Sequence, residues 1–142
     1  MNNIESINYL DLRGFGDSGW SWTHQEDPIS AEFGLALDDF DSNSISLKGD
    51  LNIMNWESVV AYSCAKWHAP YRRGRSYAFL SRIENIEQAL ERGIDFFALS
   101  NNHTRDCHQV SEEISWGQIA TLQELEMLNH NDSNLIYHGV DF

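Results

Sequence analysis

The sequence predicts an α/β fold, a parallel sheet covered by helices, and three observations carry that expectation. Apolar runs at 51–54, 94–99 and 135–137 have strand length and are nearly continuous, as in strands buried on both faces. Segments with helical apolar spacing lie between them. The resulting order of strand, helix, strand, helix, strand is that of parallel strands joined by helical crossovers.

Taken in order, residues 7–12 alternate apolar and polar side chains and predict a first strand. Residues 16–44 are rich in Gly, Asp, Ser and Asn and read as an irregular excursion with one short helix around 31–37. Trp20 and Trp22 lie within it, placed either to pack or to line a cleft. The run at 51–54 follows Gly49-Asp50 as a buried strand. Residues 58–80 then read as a loop of about twenty residues, a length that is often functional. A helix is expected to start at Ser81, because Ser81-Arg82-Ile83-Glu84 has the capping-box form. Ile83, Ile86 and Leu90 share one of its faces, and Gly93 sits where a left-handed cap belongs. After the strand at 94–99 and the polar residues 100–106, a second helix carries Trp116, Ile119, Leu122, Leu125 and Leu128. Residues 129–134 make a turn, and 135–137 form the third strand.

Composition narrows the function classes. The chain has 142 residues, with five Trp, seven Phe and five Tyr, enough apolar area for one domain with a real core. Its 22 acidic and nine basic side chains leave a formal net charge of −13. That balance excludes a general nucleic-acid binder, which needs clustered Lys and Arg to displace counterions. It also argues against attachment to anionic membrane surfaces. The polar start lacks a basic stretch leading into an apolar one, and no run approaches the ~18 apolar residues of a membrane helix. A cytoplasmic location is the default expectation. Cys64 and Cys107 are then expected as separate thiols, since two cysteines make no disulfide framework.

In an open parallel sheet, ligands bind outside the carboxyl ends of the strands. Asn55-Trp56-Glu57-Ser58 leaves one such end, and Asn101-Asn102-His103 leaves another, with Asp106 three residues on. If the strands are neighbours, a carboxylate, amide oxygens and an imidazole converge, donors suited to Mn²⁺, Fe or Zn²⁺. Asp17, in Gly16-Asp17, is a third candidate at the same edge, with Asp11 its weaker competitor. Asn and Asp also form turns at such positions, and His103 can cap the following helix. Lys66, Arg72, Arg73 and Arg75, interleaved with Trp67, His68, Tyr71 and Tyr77, can hold an anionic group or pair with the surplus carboxylates.

Two of these segments carry a family resemblance. Residues 49–58, ending in Asn55-Trp56-Glu57, resemble the strand ending in Asn-Leu-Glu of the CapA capsule-synthesis family. Residues 94–106 resemble that family's strand running into Asn-Asn-His and a later Asp. Thr121-Leu122 and Ile136-Tyr137-His138-Gly139 follow in the family's order, so the resemblance covers residue 45 to the end. It implies a sandwich of the calcineurin-like metallophosphatase type and a role in capsule or poly-γ-glutamate biosynthesis. It also implies a pair of divalent metal ions, and an anionic partner that is a phosphoester or polyglutamate.

By the same resemblance Asp17, Asn55, Glu57 and Asn102 are metal ligands, His103 acts on the leaving group or transition state, and Asp106 organises the loop. Trp56 stands where the family has Leu. The family's later His-Trp-Gly and Gly-His-x-His motifs do not occur before Phe142. The expectation is therefore an N-terminal portion, 1–142, of a domain incomplete at its C-terminus, holding half of a two-metal site. The family also allows a cell-envelope role.

Overall fold

The computed structural model describes residues 9–18, 22–23, 32–43, 47–68, 78–130 and 135–139. Its centre is a four-stranded, all-parallel sheet in the order β1-β3-β7-β9, formed by β1 (Leu12–Ser18), β3 (Leu51–Trp56), β7 (Phe96–Ala98) and β9 (Ile136–His138). Between β3 and β7 runs α2 (Ile83–Glu91), and between β7 and β9 runs α3 (Gly117–His130). The alternation read from the apolar runs is thus the architecture of the α/β fold.

Strand β3 alternates half-buried and buried residues along its whole length. Met54 and Trp56 enter a core with Ile86 and Ala89 of α2, Phe97 of β7, and Leu125 of α3. Phe33 and Leu37 join it from α1 (Phe33–Phe40), the short helix expected near 31–37. Glu32 gives α1 no side-chain cap. Two side chains of α2 do that work instead: Asn85 Oδ1 accepts the Phe33 N–H at 3.2 Å, and Gln88 Oε1 accepts the Gly34 N–H at 2.7 Å. Gly93 ends α2 with φ +94°, the left-handed cap read from sequence.

Other boundaries shift. The first strand lies at Leu12–Ser18 instead of 7–12; residues 1–8 lie outside the described set. Ser81 belongs to β6 (Phe79–Ser81), and Arg82 holds the cap position of α2 without a side-chain cap bond. Ser81 is buried and its Oγ accepts from Asn85 Nδ2 at 3.1 Å, so a side chain of α2 itself has engaged the hydroxyl that a capping box would use. The segment 58–80 is broken by β4 (Val59–Val60) and β5 (Lys66–Trp67). Strand β4 pairs parallel with β6, whose other neighbour is antiparallel β2 (Trp22–Thr23). Trp116 precedes α3 and is exposed; the helix turns Gly117, Ala120, Thr121 and Leu125 inward. Thr121 Oγ1 accepts the Val60 N–H at 2.9 Å, and a Cβ at Gly117 would come within 2.6 Å of Val59.

The separate-thiol expectation for Cys64 and Cys107 is corrected: the two form a disulfide across 43 residues of sequence. Strand β8 (Cys107–Gln109) pairs antiparallel with β5, which brings the Cα atoms to 5.8 Å. The bond lies in a second apolar cluster with Val59, Ala61, Leu80 and Ala120. Closing a loop of that length predicts about 2–4 kcal/mol of stabilisation. The double variant Cys64→Ser, Cys107→Ser is expected to unfold at lower denaturant by that amount. A midpoint equal to that of the oxidised wild type would refute it.

Candidate functional site

Three neighbouring strands, β1, β3 and β7, deliver the candidate residues to one edge of the sheet. All are parallel, so their carboxyl ends coincide. Side chains alternate faces along a strand, so Asn55 and Glu57 project together while Trp56 between them enters the core. Asp17 joins them through an irregularity in β1. Phe15 pairs with Met54 and Asp17 with Asn55, leaving Gly16 as the extra residue. Without that bulge Asp17 would fall opposite Trp56, on the other face.

Asn55 Nδ2 donates to Asp17 Oδ1 at 2.9 Å and to Glu57 Oε1 at 3.3 Å. Its orientation is set from the backbone outward. Asn101 Oδ1 accepts the His103 N–H at 3.0 Å and Asn101 Nδ2 donates to the Trp56 carbonyl at 2.8 Å, so that amide has one possible orientation. Asn101 Nδ2 then reaches Asn55 Oδ1 at 3.2 Å, which turns the Asn55 amide nitrogen toward the two carboxylates.

His103 Nδ1 lies 2.7 Å from Asp106 Oδ2, the same oxygen that accepts the Phe79 N–H at 2.6 Å. A carboxylate only accepts, so Nδ1–H donates to Asp106 and Nε2 is the ring nitrogen left for the site. Nε2 faces Glu57 Oε2 at 3.8 Å, too far for a hydrogen bond. The Phe79 ring packs on the imidazole at 4.4 Å between centroids. The side chains of His103, Glu57 and Asp106 are 15%, 20% and 12% exposed, sheltered yet reachable.

Asp17, Asn55, Glu57, His103 and Asp106 are therefore brought together as the spacing suggested. Asn102 is not: it is exposed and lines an adjoining depression, while its neighbour Asn101 makes the contacts. Asp11 lies just before β1, toward the opposite end of the sheet, forked to Arg13 and donating its N–H to Asp50. Arg72, Arg73 and Arg75, with Tyr71 and Tyr77, lie outside the described residues, as do Trp20 and the side chain of Trp22. The sequence places Asn101 at this edge but gives the ligand role to Asn102, and nothing in it points to Phe79. Asn101 had a signal, since Asn two residues before a polar loop position commonly accepts that backbone N–H.

The donor set can be tested for a metal. Among the described residues no three His, Cys, Asp or Glu side chains are gathered closely enough to hold an ion by themselves. The Asp17 and Glu57 carboxylates both accept from the Asn55 amide, which brings two hard oxygen donors to the same strand ends. Asn55 fits less well as a ligand, because its oxygen is taken by Asn101. No family model matches the chain, and no curated protein matches it.

Proposed function

We propose that this edge is the site of a CapA-like metallophosphatase-fold protein that hydrolyses an anionic phosphoester, with a role in capsule or poly-γ-glutamate biosynthesis. The observation that supports it most is the joining of two half-sites at adjacent strand ends. Asp17 and Glu57 share the Asn55 amide on one side, and the His103–Asp106 pair faces Glu57 on the other.

Asp17 and Glu57 would hold a divalent cation; of the other two ligands on the family reading, Asn55 has its oxygen on Asn101 and Asn102 lies outside the cluster. When bound, the metal supplies Lewis-acid polarisation of a phosphoryl oxygen and a more acidic water. The chain's own groups do the rest. Asn101 fixes the Asn55 amide and the His103 backbone in one frame, so the two halves keep their separation. His103 presents Nε2 to the leaving oxygen as general acid, and Asp106 holds Nδ1 and balances the charge on the ring. The Phe79 ring packs against the imidazole, tilted at 49° to it. The disulfide favours an oxidising, envelope-side compartment over the cytoplasmic default. Among the described residues no helix is long and apolar enough to cross a membrane.

Chelator-stripped protein is expected to hydrolyse bis(p-nitrophenyl) phosphate or p-nitrophenyl phosphate only after Mn²⁺, Fe²⁺ or Zn²⁺ is restored. Glu57→Ala and Asp17→Ala should each lose about 100-fold or more of that activity and bind less metal by elemental analysis. Absence of both bound metal and hydrolysis with every ion would overturn the reading.

A further inference from the structure

The depression beside the candidate site is polar and has a volume of about 550 Å³, with Ser100, Asn101, Asn102, Thr104, Arg105, Gln118 and Gly139 around it. Gly139, with φ +104°, closes against Ser100; a Cβ there would come within 2.6 Å of the Ser100 backbone. The depression thus lies where β7 and β9 end, on the same edge of the sheet as Glu57 and His103. Asn101 belongs to both places, lining the depression and holding Asn55 and the His103 backbone.

Arg105 sets this depression apart. With 22 carboxylates for nine basic side chains, acidic partners are abundant. The other described arginines all use them: Arg13 is forked to Asp11, Arg92 to Asp38, and Arg82 pairs with Glu84. Arg105 is exposed and makes no ion pair among the described residues. A guanidinium presents a planar fork suited to carboxylate or phosphate oxygens. Around it stand the amide groups of Asn102 and Gln118 and the hydroxyl of Ser100, each able to donate a hydrogen bond.

We infer that this depression is a specificity subsite for a second anionic group of the substrate, with Arg105 as its principal contact. The substrate class is then a phosphoester that carries another phosphate or carboxylate beside the reacting group. The inference rests on the proposed hydrolytic reading for the reacting group, whereas the anion subsite is measurable without hydrolysis.

The test is an amide NMR titration of the disulfide-intact, chelator-treated protein with two separate probes, inorganic phosphate and glutarate. Saturable shifts are expected at Ser100, Asn102, Arg105 and Gln118. Arg105→Gln is expected to weaken the binding about tenfold or more, and Arg105→Lys by less, because lysine keeps the charge and loses the fork. A response to phosphate alone assigns a phosphate group, and a response to glutarate a carboxylate; either supports the subsite. The Glu57→Ala protein should bind the same probe with unchanged affinity at these amides, which separates failure of the subsite from failure of the hydrolytic reading. No saturable shift with either probe, or shifts that survive Arg105→Gln unchanged, overturns the inference.

Discussion

Replacing His103 with Gln is expected to lower phosphoester hydrolysis about 10²- to 10⁴-fold, the usual worth of a positioned general acid. The geometry explains why this side chain should matter so much. Asp106 Oδ2 holds Nδ1 at 2.7 Å, the Phe79 ring packs against the imidazole, and Nε2 is left facing the cleft beside Glu57. Gln at this position can accept or donate a hydrogen bond but cannot deliver a proton. Asp106→Asn provides a graded companion, with an expected loss of about 10- to 100-fold, typical of groups that orient a site residue. With its oxygen in the place of Oδ2 the Asn side chain still accepts from both Nδ1 and the Phe79 N–H, so the thermal midpoint should move little, but it lacks the charge that stabilises the imidazolium. Asp106→Ala removes that acceptor and is expected to cost about 1–3 kcal/mol of stability. Full activity in His103→Gln, measured with restored metal, would remove His103 from the reaction.

The parts of this arrangement that were legible in the sequence are those set by local periodicity. Strand β3 and helix α2 announce themselves through apolar spacing, and Asn55-x-Glu57 has the period that puts two side chains on one strand face. Gly93 was legible because only a left-handed residue ends that helix comfortably. In helix α3 part of the expected stripe faces the core, since Leu125 is buried and Leu128 packs against it. Trp116, Ile119 and Leu122 do not, and close approach to β4 is made by Gly117, Ala120 and Thr121. Periodicity of large side chains does not register a face built from small ones.

What escaped the sequence depends on contacts between distant segments. The pairing of Cys64 with Cys107 follows from the β5–β8 ladder, and neither two-residue nor three-residue strand has a pattern long enough to read. Ser81 is a local exception, its hydroxyl taken by Asn85 four residues on. Asp17 is the sharpest case. Its place in the site depends on one extra residue at Gly16, and a one-residue change of register reverses the face of every later side chain. A Gly-Asp pair in sequence carries no sign of whether that bulge exists. The choice between Asn101 and Asn102 was likewise decided by two backbone groups, the Trp56 carbonyl and the His103 N–H.

Trp56 joins the site to the core, and truncating it should produce the largest loss of stability. It is fully buried, with its ring edge-on to Phe33 at 5.5 Å and to Phe97 at 5.9 Å between centroids. Trp56→Ala is expected to cost about 3–5 kcal/mol, the range for emptying a large aromatic site that can only partly collapse. Trp56→Phe should behave differently. The indole Nε1 is buried without a hydrogen-bond partner among the described residues, so the wild type carries a desolvated donor whose removal returns about 1–3 kcal/mol. That gain offsets most of the smaller cavity left by Phe, and the expected net change is within about 1 kcal/mol. Both variants keep the residue 56 carbonyl that accepts from Asn101, but only Trp56→Phe keeps β3 packed firmly enough to hold it in place. Denaturant midpoints at unchanged slope should therefore separate the two variants by about 3 kcal/mol. Equal losses in the two would mean that the indole itself, and not ring volume, governs this position, and would overturn the offset expected from removing the unpartnered N–H.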